Sequence, residues 1–462
     1  MPRSAALIAI LLVALLRCTN AETVERDPVE REAEDLLVNY LRIDTSNPPG
    51  NETSGAKYLQ AFLAKNGIES QLVGADPNRQ SLYARLRSGT NEKALLLMHH
   101  IDVVPANVSE WTKPPFAGAR SGGYIWGRGA LDIKSLGVAQ LMALVDLKRR
   151  NAKLTRDVVL LAVTDEERGG LNGCRDLLAN HPELFANVGY VLNEGGSNET
   201  VIDAVRFWGI EIQQKVPLWL RIRVDGEGGH AASPPDGGGT LERLVRVLAE
   251  IESIETPYRL TPVVARCYAE AARVRTDPRG AMLKNVREPL DIKTLERELP
   301  AGYRNQMRDT ITITQLNGGG STNVIPAHAS ADVDIRLLPD TAPDAMLARI
   351  RTAAGKQASV EVLLAGEVVP ESPSDTDLFR VVAKAMRNDE PGSTVAPVVG
   401  LGTTDSRWFR ARGITAYGIA PFKVNYYDAG TVHGVDERIR ARFFAEGVGL
   451  MRGIVRDFCE KR

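Results

Sequence analysis

The segment Ala94–Asp102, with the sequence ALLLMHHID, has the hydrophobic pattern from which the fold class can be predicted. Its first five residues are all apolar, which predicts a strand in a sheet that is covered on both faces. Two further apolar strands are predicted at 157–163 and 188–192, and a long amphipathic helix at 133–150 precedes them. Strands that alternate with helices are typical of a parallel, three-layer α/β domain.

The hydrophobic pattern changes near Pro217. Segments in the order strand–helix–strand, strand–helix–strand follow at 218–224, 241–254, 310–315, 329–337, 342–354 and 360–364. This is the order of a ferredoxin-like α+β domain. We therefore predict an α/β domain in two parts, 22–215 and 368–462, and an inserted domain at 216–367. The less regular stretch 257–306 is interpreted as an elaboration of the inserted domain.

Residues 1–21 have the layout of a secretory signal peptide. Arg3 precedes an apolar run from Ala5 to Leu16, and small or polar residues follow as far as Ala21. Because the apolar run is short for a membrane-spanning helix, we predict cleavage near Ala21 and a secreted or periplasmic protein without a stable membrane span. An uncleaved membrane anchor is the alternative.

The amino-acid composition and net charge indicate which classes of protein fit this chain. Lys and Arg total 57 and Asp and Glu total 58, which gives a net charge of −1. The chain lacks the basic excess that nucleic-acid-binding proteins use to contact phosphates, so we expect no nucleic-acid partner. With 44% hydrophobic and 25% charged residues, the composition is that of a packed globular protein.

Histidine and carboxylate residues follow the predicted strands. They are His100 and Asp102 after the first strand, Asp132 before a helix, Glu166 and Glu167 after 157–163, Glu194 after 188–192, and His433 near the C-terminus. In parallel α/β sheets, ligands bind at the carboxyl ends of the strands. Any single cluster also fits solvated loop acids, but several carboxylates at one sheet edge would repel one another without cations. Imidazole and carboxylate groups suit a two-zinc hydrolase.

The spacing of His100 and Asp102 has a further consequence. In an extended segment the two side chains point to the same side. The Asp102 carboxylate can therefore hold the imidazole in one tautomer while the other ring nitrogen binds a metal.

In this order the motifs resemble the M20 metallopeptidase family, which includes aminoacylases, acetylornithine deacetylase and carboxypeptidase S. The resemblance extends over nearly all of the chain after residue 21. The segments 111–116 and 404–409 are most similar to the branch that contains carboxypeptidase S and secreted N-fatty-acyl amino acid hydrolases. The resemblance implies a catalytic domain of the di-zinc exopeptidase type with an inserted lid domain. It also implies two Zn²⁺ ions per chain, with Co²⁺ or Mn²⁺ as substitutes.

The resemblance implies a role for each metal-site residue. His100 and Glu194 would bind one ion, Glu167 and His433 the other, and Asp132 would bridge the two. The peptide bond after the bridging aspartate, Asp132–Ile133, is expected to be cis.

Other residues match catalytic or substrate-binding positions of the family. Asp102 matches the acid behind the first histidine, and Glu166 matches the general base that moves a proton from water to the leaving amine. His230 matches a histidine that stabilises the oxyanion and that, in dimeric relatives, reaches the partner's active site. Asn323 and Arg336 resemble the lid residues that hold the substrate's carboxylate. We expect Asp405 and Arg407 to line the same pocket, with surface salt bridging as the alternative.

The sequence therefore predicts a metal-dependent hydrolase of amide bonds in N-acyl amino acids or short peptides with a free carboxylate. A narrow deacylase of one biosynthetic intermediate is the alternative, although the signal-like N-terminus argues against a cytoplasmic pathway. A non-catalytic binding protein on the same fold is a further alternative. Such a protein would lack a metal ligand or the general base, whereas every expected position is filled in this sequence. A homodimer that forms through the lid domain is an alternative to a monomer.

Overall fold

The structure of the protein, a computed structural model, describes residues 27–275 and 278–461. The predicted signal peptide at 1–21 lies outside these residues. Within the described part of the chain, no helix is both long enough and apolar enough to cross a membrane.

Strands and helices alternate through most of the chain. The strands are β1 (Ser70–Val73), β2 (Ser81–Leu86), β3 (Ala94–His100), β4 (Ala119–Ser121), β5 (Tyr124–Trp126), β6 (Val158–Val163), β7 (Val188–Asn193), β8 (Ser197–Val201), β9 (Ala204–Gln214), β10 (Val216–Asp225), β11 (Gly229–His230), β12 (Thr310–Gly318), β13 (Val324–Ile325), β14 (His328–Leu337), β15 (Ser359–Ala365), β16 (Thr394–Gly400), β17 (Thr415–Gly418) and β18 (Arg438–Arg440). The helices are α1 (Pro28–Leu41), α2 (Glu52–Lys65), α3 (Lys134–Arg149), α4 (Cys174–Asn180), α5 (Thr240–Glu252), α6 (Pro262–Arg273), α7 (Pro278–Asn285), α8 (Ile292–Glu298), α9 (Ala301–Asn305), α10 (Pro343–Ala354), α11 (Asp377–Asp389), α12 (Ser406–Arg410), α13 (Tyr426–Ala429) and α14 (Ala441–Cys459).

Strand β3 lies inside a mixed nine-stranded sheet. The order is β1-β2-β6-β3-β7-β17-β9-β16, with β8 paired to β9 outside this path. Strand β3 is parallel to both of its neighbours, β6 and β7. Leu95 and Leu97 belong to the apolar core on one face, whereas Ala94, Leu96 and Met98 belong to the core on the other. The prediction of a sheet covered on both faces is confirmed.

Helices form the outer two layers of this domain. Helices α1, α2, α3, α11 and α14 contribute to the larger core, and α4 and α12 contribute to the smaller one. Helix α3 is buried from Lys134 to Leu147, nearly its whole length. The predicted three-layer α/β architecture is therefore confirmed.

The inserted domain has its own sheet and core. Strands β12, β14, β10 and β15 lie side by side in this order, and all pairs are antiparallel. Numbered within the domain, this is the 4-1-3-2 arrangement of a ferredoxin-like fold. Helices α5 and α10 pack on one face around a separate apolar core. The other face carries Trp219, Asp334 and Arg336 towards the α/β domain.

The stretch 257–306 packs differently from the prediction. Helix α6 lies against β16 of the large sheet, and its residues Val264, Cys267 and Tyr268 belong to the core of the α/β domain. Leu295 and Leu299 join the same core. The interpretation of this stretch as an elaboration of the inserted domain is wrong, because its apolar side chains are buried against the α/β domain instead.

Candidate active site

Three neighbouring parallel strands bring the candidate residues to one edge of the sheet. His100 is the last residue of β3, which lies between β6 and β7. Glu166 and Glu167 lie in a short 3₁₀ turn after β6, and Glu194 follows β7 directly. Residues predicted to meet at the carboxyl ends of strands do lie together in the structure.

Asp132 lies between the two histidines. Its Oδ1 is 3.2 Å from Nε2 of His100, and its Oδ2 is 3.0 Å from Nε2 of His433. Each histidine also faces its own glutamate: Nε2 of His100 is 3.6 Å from Oε1 of Glu194, and Nε2 of His433 is 3.3 Å from Oε2 of Glu167. The side chains thus form two groups that share one aspartate. The Asp132–Ile133 peptide bond is cis, as expected.

The partner that orients His100 differs from the prediction. Nδ1 of His100 lies 2.8 Å from the backbone carbonyl oxygen of Asp102 but 3.7 Å from its carboxylate. A carbonyl oxygen can only accept, so Nδ1 carries a proton and Nε2 is the nitrogen that faces Asp132 and Glu194. The carbonyl group, rather than the predicted carboxylate, fixes the tautomer.

The Asp102 carboxylate instead holds the turn that carries Glu166 and Glu167. Its Oδ1 accepts from the backbone N–H of Glu166, and its Oδ2 accepts from that of Glu167, both at 3.2 Å. The side-chain amide of Asn47 donates to the same Oδ2 at 2.9 Å. Asp102 is fully buried, so these donors replace water around the carboxylate. Asn47 is a site residue that the sequence analysis missed.

Asp165 begins the same turn in the left-handed region, with φ = 70°. Its Oδ1 accepts from Nη2 of Arg79 at 2.9 Å, and its Oδ2 accepts from the backbone N–H of Asn172 at 2.9 Å. The guanidinium group of Arg79 also binds Glu52 at 2.6 Å. The Arg79 side chain and the Asn172 backbone N–H therefore hold a non-glycine residue in a conformation that costs free energy.

Glu437 holds the loop that precedes Asp132. Its Oε1 accepts from the backbone N–H groups of Leu131 and Asp132 at 2.7 and 3.0 Å. Its Oε2 accepts from the N–H of Gly129 at 3.0 Å and from Nη1 of Arg128 at 2.8 Å. Glu437 is fully buried and was missed as a functional residue, although it lies four residues after His433.

Burial and mutual repulsion alter the proton affinity of the site. Burial raises the pKa of Glu166 well above its usual range, and the charge of Glu194 adds to this effect. Burial raises the pKa of Glu167 to about 7, with a further contribution from Asp132. Hydrogen bonds to Asp132 and Glu167 raise the pKa of His433 to about 10. The raised pKa values show that further negative charge in this cluster is unfavourable, and bound cations would offset that cost.

The donor set fits divalent metal ions. Ligand atoms of His100, Glu166 and Glu194 all lie within 4.8 Å of one another, and so do those of His100, Asp132 and Glu167. Imidazole nitrogen and carboxylate oxygen are ligands that zinc accepts. In the described part of the chain, the buried Oε1 of Glu167 has no hydrogen-bond partner. A buried carboxylate oxygen without a partner is costly unless a cation binds to it.

A cavity of about 750 Å³ connects this cluster to the inserted domain. Asp132, Glu166, Glu167, Glu194 and His433 line one end of it. The remaining wall is largely apolar and includes Trp219, Leu364, Val399, Leu401 and Val432. A substrate in this cavity would contact both domains.

Two of the predicted substrate-binding residues line the cavity. Arg336 donates to both carboxylate oxygens of Asp334, at 2.7 and 2.8 Å, and to Oγ1 of Thr403 at 2.9 Å. Arg407 is 5% exposed and donates Nη2 to the carbonyl oxygen of Gly169 at 2.5 Å. Its Nε and Nη1 are buried without a partner among the described residues. Arg407 therefore keeps two buried donors unpaired among the described residues, whereas the fork of Arg336 is already occupied.

The structure does not bring the other three candidates into the cavity. His230 and Val324 pair across the short β11–β13 ribbon, and His230 is exposed. Asn323, which precedes Val324, is also exposed. Its backbone carbonyl oxygen accepts from the N–H of Ala231 at 3.0 Å. Asp405 is buried behind the wall, where it accepts from Nε1 of Trp408 at 3.1 Å.

Residues 96–457 match the model of peptidase family M20/M25/M40. The chain belongs to this family. Its M20 relatives include an N-fatty-acyl-amino acid synthase/hydrolase of Xenopus tropicalis, 27% identical over 94% of this chain and 89% of that protein. Human aminoacylase-1 is 26% identical over 90% of this chain and 92% of its own length.

Solved M20 structures share the fold. An M20 family metallo-carboxypeptidase from Sulfolobus solfataricus aligns over 92% of this chain and 99% of its own, with a TM-score of 0.74 and 20% identity. Human carnosine dipeptidase 1 aligns over 92% of this chain and 96% of its own, with a TM-score of 0.71 and 16% identity. The M20 resemblance is confirmed, and the protein is a hydrolase of amide bonds in small substrates.

Proposed function

We propose that the protein is a secreted, two-zinc hydrolase of N-acyl amino acids or short peptides that carry a free carboxylate. The observation that carries the proposal is the pair of histidine–glutamate groups joined by Asp132, at one end of a cavity that Arg336 and Arg407 also line. Secretion rests on the signal-like pattern of residues 1–21.

Metal binding is assigned to five residues of this cluster. His100 and Glu194 would hold one Zn²⁺ ion, Glu167 and His433 the other, and Asp132 both. Two ions bound here would act as Lewis acids towards the amide carbonyl group and the attacking water.

Proton transfer is assigned to Glu166. Its side chain lines the cavity beside the proposed metal ligands, where it can reach a water molecule that attacks the amide. Glu166 would accept a proton from water and then donate it to the leaving amine. Asp102 would keep Glu166 in place through the backbone of the turn, since it accepts from the N–H of Glu166.

The substrate's carboxylate would be bound by guanidinium groups. Arg407 lines the cavity and has two buried donors without a partner among the described residues, and Arg336 lines it from the facing lid sheet. A guanidinium fork binds a carboxylate with two hydrogen bonds. Because the fork of Arg336 is held by Asp334, a substrate that uses Arg336 must compete with that aspartate.

The exposed residues of the lid favour a dimeric enzyme. His230 and Asn323 lie side by side on the β11–β13 ribbon, outside the cavity of their own chain. We propose that they complete the active site of a second copy, where His230 would stabilise the oxyanion.

The test is a comparison of substrates with the purified protein loaded with zinc. Free-acid N-acyl amino acids and dipeptides should be hydrolysed, and their carboxyl-amidated analogues should lose about 30- to 1,000-fold in kcat/KM because the guanidinium donors lose their ion partner. A chelator should abolish the activity, and zinc should restore it. Equal turnover of amidated and free-acid substrates would contradict the carboxylate anchor and favour an endo-acting or lipid-amide hydrolase.

A further inference from the structure

A second cavity lies against the open face of the lid sheet, next to the catalytic cavity. Its volume is about 480 Å³. Trp219 lines both cavities, and Asp334 of the second cavity is bonded to Arg336 of the first. The second cavity therefore adjoins the catalytic cavity at one indole ring. Arg168 contributes from the catalytic domain, in the same turn as Glu166 and Glu167.

Two β-bulges shape this cavity. In the pairing of β12 with β14, Ile313 is opposite Val333 and Gln315 is opposite Asp332, so Thr314 is an extra residue. In the pairing of β10 with β15, the extra residue is Leu363. Both extra residues line the cavity. Bulges bend a strand and redirect its side chains, and they are frequent next to active sites.

Among the charged side chains that line this cavity, one cationic group has no ion-pair partner among the described residues. Arg221 donates to both carboxylate oxygens of Asp332 at 2.7 and 2.8 Å, and Asp334 is paired in the same way with Arg336. Each carboxylate is therefore neutralised by its own arginine. Arg168 is exposed, and its side chain forms no hydrogen bond or ion pair with any described residue. Its charge is the one available to a ligand here.

We propose that this cavity is a substrate subsite in which Arg168, with the exposed amide of Gln315 beside it, binds a second carboxylate remote from the scissile amide. The inference rests on the proposed hydrolysis of N-acyl amino acids. The ligand is the second negative charge of a substrate, and it has two chemical sources. It lies either at the end of the acyl group or on the amino-acid side chain.

Two matched pairs of substrates distinguish these sources. The comparison of N-succinyl-leucine with N-butyryl-leucine tests an extra carboxylate at the end of an acyl chain of the same length. N-acetyl-glutamate against N-acetyl-glutamine places it on the side chain. In one of the two pairs, the dianionic member should have a kcat/KM about tenfold higher, as expected for one charge-assisted hydrogen bond in a partly exposed site.

Variants connect the preference to the guanidinium group. Arg168→Gln should remove the difference within the preferred pair, and Arg168→Lys should keep part of it, because the charge remains without the fork. The matched control is Arg223→Gln, since Arg223 lies on the same sheet face, pairs with Asp225 and lines neither cavity. This control should preserve the ratio of kcat/KM values.

Two results would overturn the subsite. One is equal kcat/KM within both pairs for the unaltered enzyme, and the other is a preference that persists in Arg168→Gln. Failure to hydrolyse any of the four substrates would overturn the proposed function, and this inference with it. The two kinds of failure are therefore distinguishable.

Discussion

The side-chain amide of Asn47 lies between two buried carboxylates, those of Asp102 and Asp165. It donates to Oδ2 of Asp102 at 2.9 Å and to Oδ1 of Asp165 at 3.4 Å. Asp102 in turn accepts from the backbone of Glu166 and Glu167. Asn47 therefore positions the turn that carries the proposed base and one proposed ligand.

Asn47→Ala should lower kcat and weaken metal binding. The substitution leaves Asp102 and Asp165 buried without the donor between them, which typically costs about 1–3 kcal/mol, or roughly 5- to 150-fold. We expect the loss in kcat more than in KM, because the turn carries Glu166. Steady-state kinetics and metal analysis of the purified variant measure both effects. Asn180→Ala is a control, since Asn180 is exposed and bonds only locally to Asp176. Unchanged kcat and metal content would contradict the positioning role.

Asp132→Ala should lose more metal than any other single substitution at the site. Its two oxygens face His100 and His433 separately, so the substitution removes a ligand from both proposed ions. Metal analysis after dialysis should find neither ion at full occupancy, whereas Glu194→Gln should affect one ion. Two fully occupied ions in Asp132→Ala would exclude the bridging role.

Glu166→Gln and Glu167→Gln should differ although the residues are adjacent. Glu166→Gln should keep both metals and lower kcat by at least ~10², because an amide cannot accept the proton of water. Glu167→Gln should weaken one metal site, since Oε2 of Glu167 faces His433. Metal content measured together with kcat separates the two roles. The opposite pattern would mean that the base and the ligand are exchanged.

The position of the site could be predicted from the sequence because strand order places it. Parallel strands end at one edge, so acids and histidines after β3, β6 and β7 must lie together. The residues that hold them could not be predicted in the same way. Asn47 lies in the Asn47–Gly50 segment, whose prolines indicate only a break after a helix, and the direction of its amide depends on contacts with Asp102 and Asp165.

Strands β9 and β16 of the large sheet were not predicted from the sequence, and each omission has a physical reason. Strand β9 contains Glu211, a buried carboxylate paired with Arg410, and such a charge interrupts the apolar pattern of a central strand. Strand β16 contains Pro397, which usually argues against a strand but is tolerated here at the edge of the sheet. For α6, a signal was present in the sequence: Thr261 caps the helix and Pro262 is its first residue.

A buried lysine at the junction of the two domains makes stability depend on pH. Lys215 is 1% exposed, and its Nζ donates to the carbonyl oxygens of Arg308 at 2.7 Å and Arg336 at 3.4 Å. Burial lowers the pKa of Lys215 from 10.5 to about 8, although Asp309 opposes the shift. Between these two values, the unfolded chain binds a proton that the folded chain does not. The contribution of Lys215 to the free energy of unfolding therefore rises with pH across this window and is smallest below about pH 8.

Lys215→Met should remove this pH dependence, because methionine has a similar length and no charge. From about pH 8 to about pH 10, the free energy of unfolding of the unaltered protein should rise by roughly 2 kcal/mol relative to the variant. Chemical denaturation of both proteins at several pH values measures the difference, and groups common to both cancel. Lys356→Met is the control, since Lys356 is exposed on the lid and should show no such change. Parallel pH profiles for the unaltered protein and Lys215→Met would mean that Lys215 remains protonated in the folded state, with its charge stabilised by Asp309 and the two carbonyl groups.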